Sequence, residues 1–467
     1  MIEDLKSPYP VYRNCGLPWL GEVPAHWEIR RNGGLFQQRN DPGDTELPIL
    51  EVSLRTGVRV RDFARSKRKQ VMTDRSKYKR AGRGDLVYNM MRMWQGAAGI
   101  APESGLVSPA YVVCRAMPGI NSGYFSRLFK TDDYLAEIDA ASRGIVKDRN
   151  RLYWDQFKQI CSPLPPASEQ AAITRFLAWA TNRLDRAIGA KRRIITLLQE
   201  QKEAIIHRAV TRGLDPSVPL KDSGIPWLGE IPEHWEVRRV KHVSRISRGK
   251  FTHRPRNDPS LYDGPYPFIQ TGAVAQAEKF VTSFKQTLNE KGLAVSKLFP
   301  SGTMVMTIAA NIGDVAILTF DACFPDSIVG FTPSSGVDRD YLYLTFLCMR
   351  PELLREAPVN TQGNLNIERI GTMGIPLPPF TEQLRITDHV ATETGSFTES
   401  ITSLEQEITL LREYRTRLIA DVVTGKLDVR EVAAGLPEDK LSSDDEHTGI
   451  EAGFDLDAED DAPEEIA

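Results

Sequence analysis

The sequence is poor in the features that announce an enzyme. Its five cysteines, Cys15, Cys114, Cys161, Cys323 and Cys348, are odd in number and scattered without a CxxC pair, which argues against a disulfide framework or a zinc site. They read as reduced, mostly packed thiols. No P-loop is present: "SRGKFT" lacks the first glycine of that motif and has no Ser or Thr directly after Lys250, so no phosphate cradle of that kind is expected. The seven histidines form no HxxxH or HExxH pair, and "LPPF" has Leu where the Asn-Pro-Pro-aromatic grip of amino-methyltransferases needs Asn. Carboxylates are plentiful, yet no spacing singles out a catalytic pair. The sequence therefore predicts no catalytic residue and no metal ligand. No apolar run approaches the roughly 20 residues of a spanning helix. The opening "MIEDLKSPYP" lacks a basic-then-apolar signal pattern, so the cytoplasm is the expected compartment.

What is present is size, ordinary globular composition and an uneven charge. The chain has 467 residues, 41% hydrophobic and 26% charged, which suits two or three folded domains. Its net charge of −3 conceals a contrast: residues 431–467 hold fourteen acids against one Lys, leaving +10 on residues 1–430. The acidic, aromatic-poor end reads as a disordered, solvated tail. The basic remainder is compatible with a polyanion partner.

The dominant feature is an internal repeat. "GLPWLGEVPAHWEIRR" from Gly16 returns as "GIPWLGEIPEHWEVRR" from Gly224. A second segment, "PLPPASEQAAITRFLAWATNRLD…" from Pro163, aligns without a gap on "PLPPFTEQLRITDHVATETGSFT…" from Pro376. The order is phrase, variable block, Pro-rich hinge and helix, then all of it again. Ser168 and Thr381, ahead of Glu-Gln, mark helix starts. Apolar residues then recur in steps of three and four: Leu177, Leu184, Ile188, Ile195, Leu198, Ile205 and Ala209, and Val390, Phe397, Ile401, Leu404, Ile408, Leu411, Leu418 and Val422. This is a coiled-coil seam, and each copy is the other's natural partner. About 40 residues of helix give a rod of about 60 Å.

Within the variable blocks, "LVYNM", "YVVCRA", "MVMTIAA" and "DVAILTF" read as buried strands. "YFSRLFKTDDYLAEI" and "DYLYLTFLCMRPELL" read as short helices near the end of each block. The predicted fold class is α+β: two domains of mixed strand and helix, separated by two long antiparallel coiled-coil helices, with a pseudo-twofold internal repeat. The boundaries are 1–162 for the first domain with its entry segment, 163–215 for hinge and first helix, 216–375 for the second domain, 376–430 for the second helix and 431–467 for the tail. In the repeated phrase, the density of Trp, Pro and Gly suits a rigid packed entry segment, with His26 and His234 in packing or turn-bonding roles.

"GIPWLGEIPEHWEVRRVKHV", "PLPPFTEQ" and "LIADVVTGKLDVR", each with a first-half counterpart, make residues 12 to about 430 resemble the DNA-specificity subunit of a type I restriction-modification system. The resemblance implies that each variable block is a target recognition domain reading double-stranded DNA and that the helices are the spacer between them. It implies a chain without chemistry of its own, assembled with two modification subunits and joined by restriction subunits. Those partners would bind S-adenosylmethionine, ATP and Mg2+, methylate adenine N6, and translocate and cleave DNA; this chain would bind no cofactor. The acidic tail lies outside the resemblance.

Residues 51–80 hold eleven Lys or Arg against three acids. Arg59, Arg61, Arg65, Lys67, Arg68, Lys69, Lys77, Lys79 and Arg80 are candidates for phosphate contacts, which supply affinity without sequence information. Base readout calls for Arg, Asn or Gln on loops between strands. In the first block the candidates are Arg92, Trp94 and Gln95, then Arg143, Lys147, Arg149 and Asn150. In the second they are Arg248, Lys250, His253, Arg254, Arg256, Gln270, Thr271, Asn311, Gln362, Asn364 and Asn366. Corresponding loops of different chemistry predict a bipartite, asymmetric target with an unread gap, its half-sites roughly 34 Å apart. A protein-binding coiled-coil scaffold, its basic stretch merely solvated, is the competing reading. A self-sufficient restriction enzyme is a third, and it lacks the motifs.

Overall fold

A computed structural model of the chain describes residues 8–42, 46–62, 75–144, 150–356 and 365–436. It resolves into two compact units, one built from Met1–Arg192 with Glu405–Ala467, the other from Arg193–Leu404.

The first unit is organised on a four-stranded antiparallel sheet in the order Phe36–Arg39, Tyr111–Ala116, Leu86–Asn89, Ala98–Ile100. Its two central strands, Tyr111–Ala116 and Leu86–Asn89, are largely apolar because both faces are covered. Side chains alternate across a strand: Leu86, Tyr88, Val112 and Cys114 enter one core with the helices Ser122–Leu128 and Asp132–Ala141. Val87 and Val113 enter a second core beneath the ribbon of Leu50–Ser53 and Gly57–Val60.

The second unit repeats this plan. Ser244–Arg248, Ile328–Pro333, Met304–Thr307 and Val315–Leu318 follow one another in the same relative order, and Phe280–Val281 adds a fifth strand in parallel. Met304, Met306, Val329 and Phe331 face one core, while Val305, Ala316 and Ile328 face another. The repeat is thus in the sheet, where the sequence shows only echoes. The two units differ in what accompanies the sheet: in one the ribbon and the strand pair Lys79–Ala81 with Gly105–Val107, in the other a second sheet of Gln286–Leu288, Tyr262–Phe268, Ala322–Cys323 and Leu298–Phe299.

The long helices are Ala167–Arg212 and Phe380–Val423. Within the first unit they run antiparallel, since Asp185 pairs with Arg415 at 2.6 Å and Lys191, further along, pairs with the earlier Glu407. Within the second unit Lys202 Nζ donates to Thr398 Oγ1 at 2.8 Å. Leu177, Leu184, Ile188, Val390, Ile408, Leu418 and Val422 are buried. Ile195, Leu198, Ile205, Phe397, Ile401, Leu404 and Leu411 are half-buried. Near one end the sequence pattern picks Ile205, whereas Ile206 is the more deeply buried residue.

Three local expectations are corrected. The helices start at Ala167 and Phe380, so Ser168 and Thr381 lie inside the first turn, and the carbonyls of Pro166 and Pro379 accept the first turn's N–H groups. "DYLYLTFLCMRPELL" lies within one helix, Arg339–Glu356, that runs through Pro351. The folded chain also passes the charge boundary at 431: Arg430–Ala434 is helical, and Ala433 and Leu436 are buried. Residues 437–467 lie outside the described residues.

The repeated phrase docks in each unit on the start of one long helix and the end of the other. In the first unit Glu169, which is 4% exposed, accepts from Trp27 Nε1 at 2.9 Å, bonds His26 Nε2 at 2.8 Å and accepts from the Tyr9 hydroxyl. Burial, then this carboxylate, hold the Tyr9 hydroxyl far above its ordinary pKa, so it remains a donor. Gly425, just past the second helix, supplies a left-handed turn at φ +79°, which favours glycine. A Cβ there would stand 2.5 Å from Pro24 Cδ and 2.9 Å from Trp27 Cη2.

In the second unit His234 Nε2 meets Glu382 Oε2 at 2.9 Å, and Gly213, at φ +72°, places its would-be Cβ 3.2 Å from Trp235 Cζ2. Gln170 and Gln383 complete the hinge: their side-chain oxygens accept from the N–H of Asn121 and Asp338, both at 2.8 Å. Gly425→Ala is expected to cost about 2–4 kcal/mol, the sum of a left-handed penalty and overpacking. Gly213→Ala is expected to cost about half as much, and chemical denaturation of each variant measures the difference.

Candidate nucleic-acid interface

In both units several of the candidate residues gather at one end of the sheet's strands, because antiparallel pairing brings the end of the first strand, the end of the second and the start of the last side by side. In the second unit Arg248 pairs with Val329 and Thr307 with Ile328. The turn after Thr307 bonds back through Ile308 N to Ser327 O at 2.9 Å, and Leu365 N reaches Ile308 O at 2.9 Å. In the first unit Arg39 pairs with Val113 and Asn89 with Tyr111, and Leu152 N reaches Met90 O at 2.8 Å. The two ends are built alike and decorated differently.

The second is the better furnished with Arg and Asn. Arg248 Nε donates to the Asp326 carbonyl at 2.8 Å, and Arg256 Nη2 meets Asp326 Oδ1 at 2.6 Å. One aspartate, which the sequence reading missed, therefore orders two of its candidates, and the Arg256 side chain remains 46% exposed. Gly249 is required here: a Cβ would lie 2.2 Å from the Pro325 carbonyl oxygen. Lys250 is exposed beside it. Asn311 is exposed at the tip of the turn after Met304–Thr307, preceded by Ala310 at φ +61°. Such backbone strain in a non-glycine residue is concentrated at functional sites.

The remaining candidates have structural partners. His253 Nε2 meets Asp258 Oδ2 at 3.0 Å, and Arg254 Nη1 donates to the carbonyls of Phe251 and His253, both at 2.9 Å. Gln270 donates to Gln286, and Thr271 opens the helix Thr271–Gln276. Asn366 caps the helix Ile367–Thr372, accepting from Glu368 N at 2.9 Å. Gln362 and Asn364 lie outside the described residues.

In the first unit the helix Asp132–Ala141 packs on the short turn Met93–Gln95. Gln95 is exposed, Arg92 is half-buried, and Trp94 packs against the core with Nε1 donating to Met91 O at 3.0 Å. Arg143 is exposed, while Asn150 Nδ2 donates to Asp139 Oδ1 at 2.9 Å. Lys147 and Arg149 lie outside the described residues, as do Arg65, Lys67, Arg68 and Lys69 of the basic stretch. Its described part is less free than its charge suggests. Arg59 and Arg61 both face Glu51, at 2.6 and 3.8 Å. Lys79 Nζ donates to Tyr111 O at 2.9 Å, and burial lowers its pKa. Lys77 and Arg80 remain exposed.

Arg39, absent from the sequence candidates, ends its strand opposite Val113, one residue short of the position equivalent to Arg248, and lies 3.3 Å from Asp41 and 2.9 Å from Asp85. Burial raises the Asp85 pKa, against the Gly82 N–H bond and the Arg39 charge, which lower it. Its strand position opposite Val113 is the only signal that marks Arg39, and it needs the pairing. Among the described residues no group of three His, Cys, Asp or Glu is placed to hold a metal ion. No described helix is long and apolar enough to cross a membrane.

Residues 232–410 match the model of the Type I restriction modification DNA specificity domain. A protein of Methanocaldococcus jannaschii named as the specificity subunit of a type I restriction enzyme, MjaX, is 21% identical over 88% of this chain and 96% of its own length. The MjaVIII specificity subunit of the same organism is 26% identical over 49% of this chain and 52% of its own. A chain solved in work on complex assembly and conformational transition of the type I R-M system shares the fold with a TM-score of 0.61 at 16% identity, covering 87% of this chain and 99% of that one. The chain is thus similar, over most of its length, to specificity subunits of type I restriction enzymes, and it shares the fold of a chain from a type I R-M system. The family match covers most of the second unit, from Pro232, and the first part of the helix Phe380–Val423, to Leu410.

Proposed function

We propose that the chain reads a bipartite, asymmetric DNA sequence, one half-site through the strand ends of the sheet in each unit, and holds modification and restriction subunits at that site without catalysing their reactions. The observation that carries this reading is the pair of equivalent sheet ends with unlike side chains: Arg39, Arg92 and Gln95 on one, Arg248, Arg256 and Asn311 on the other. Equivalent placement gives equivalent approaches to DNA, and unlike donors and acceptors select unlike bases. Exposed Lys77 and Arg80 and the basic stretch around them supply the sequence-independent attraction to phosphate. Within this reading methyl transfer to adenine N6 from S-adenosylmethionine, and ATP- and Mg2+-dependent translocation and cleavage, belong to the partner subunits, in the cytoplasm.

The long helices act as the ruler between half-sites. Removing about one heptad from each shortens the rod by about 10 Å, or about three base pairs of duplex at about 3.4 Å each. The expected result, read from modified adenines in cells that also hold the modification subunits, is the same two half-sites with a gap shorter by about three base pairs. An unchanged gap overturns the ruler.

A further inference from the structure

In the first unit the paired helices leave an apolar groove of about 180 Å³ lined by Phe176, Trp179, Ala180, Arg183, Leu184 and Tyr414, among others. These helix 167–212 residues recur at three and four, so they share one face. Small Ala180 makes room between the larger Trp179 and Tyr414. Trp179 is half-buried, Tyr414 is 38% exposed and Leu410, one turn before it, is 63% exposed. The Arg183 guanidinium stands 5.1 Å from the Trp179 ring centre, leaving an apolar floor with a cationic wall.

We propose that this groove takes a segment of the chain's own acidic end, residues 450–457, with Phe454 on the floor. Two observations select this occupant. The described chain finishes beside the groove: Leu436 and Ala433 share the hydrophobic cluster of Phe176, and Arg175, the residue before Phe176, donates to the Ala433 carbonyl. The eighteen residues from there to Phe454 span up to about 60 Å, against about 12 Å of helix from Arg175 to Arg183.

The second observation is charge and pattern. Residues 437–467 carry thirteen acids and one Lys, and Phe454 is their one Phe, Tyr or Trp. Arg183, Arg186 and Arg412 are exposed on this part of the helices, while the neighbouring Arg415 and Lys191 are already paired with Asp185 and Glu407. In "GFDLD" Phe454 and Leu456 alternate with Asp455 and Asp457. An extended run would set the apolar pair on the groove and the acids toward its rim.

A photo-crosslinking p-benzoylphenylalanine in place of Phe454, in a full-length chain prepared as a mixture of isotopically light and heavy copies, tests the assignment. The expected links join position 454 to the peptides holding Trp179 to Leu184 or Tyr414, within single copies. Links to the basic stretch of residues 51–80, links between light and heavy copies, or the absence of links overturn it. Hydrogen exchange supplies a second reading that needs no new residue in the core. In a Phe454→Asp, Leu456→Asp full-length variant, amides of residues 176–187 and 410–418 are expected to exchange at least about fivefold faster, as for a segment covered four-fifths of the time. Unchanged exchange contradicts the docking.

Discussion

Glu169→Ala is expected to lower the stability of the first unit by about 3–5 kcal/mol, whereas Glu382→Ala, at the equivalent position, costs less than about 1 kcal/mol. Glu169 is buried and is the shared acceptor for Tyr9, His26 and Trp27. Its removal leaves the nearly inaccessible Trp27 indole N–H and Tyr9 hydroxyl without that acceptor, at about 1–3 kcal/mol each. Among the described residues Glu382 bonds His234, and that imidazole is 45% exposed, so solvent screens the pair and replaces it. The Trp235 indole N–H has no partner among the described residues even with Glu382 in place. Thermal unfolding separates the outcomes: a midpoint lower by about 10 °C for one variant and nearly unchanged for the other. Equal losses would contradict the assignment of Glu169 as the anchor.

Arg256→Ala is expected to weaken occupancy of the second half-site by about ten- to a hundredfold, the equivalent of about 1–3 kcal/mol for a bidentate base contact, and to leave the first half-site's sequence unaltered. Asp326 presents Arg256 in one orientation at 2.6 Å, which limits the rotamer freedom lost on binding. Binding measured over a panel of single-base substitutions checks this: preference relaxes at one or two adjacent positions. A uniform loss across all sequences, with a shallower salt dependence, would assign Arg256 to phosphate instead.

The repeat, the hinge and the long helices were legible because they rest on local pattern: the spacing of apolar residues and the recurrence of whole phrases. The buried strands were legible as apolar runs, though not the reason for their lack of alternation, which is the second core on the far face of each sheet. Glu169 was seen only as part of a helix-start signal. Its actual work depends on Trp27 and Tyr9, more than 140 residues earlier, and no local rule pairs them. For the site, the sequence found Arg248, Arg256 and Asn311 as separate loop residues, while their convergence required the strand register. It also counted Lys79, Arg254, Asn150 and Asn366 as free donors or acceptors, although backbone carbonyls, a neighbouring carboxylate and a helix cap already engage them. Arg39 was invisible because its significance is positional: only the pairing with Val113 brings it to the strand ends where Asn89 and Tyr111 meet.

The central claim is that two units of one chain choose which DNA sequence its partners modify. Single-molecule mapping of modified adenines, in cells holding the modification subunits with and without this gene, tests it most directly. The account predicts a set of modified adenines that vanishes with the gene and that shares two different half-sites separated by a fixed unread gap. Modification that is unchanged without the gene, or that follows a single uninterrupted site, would contradict it.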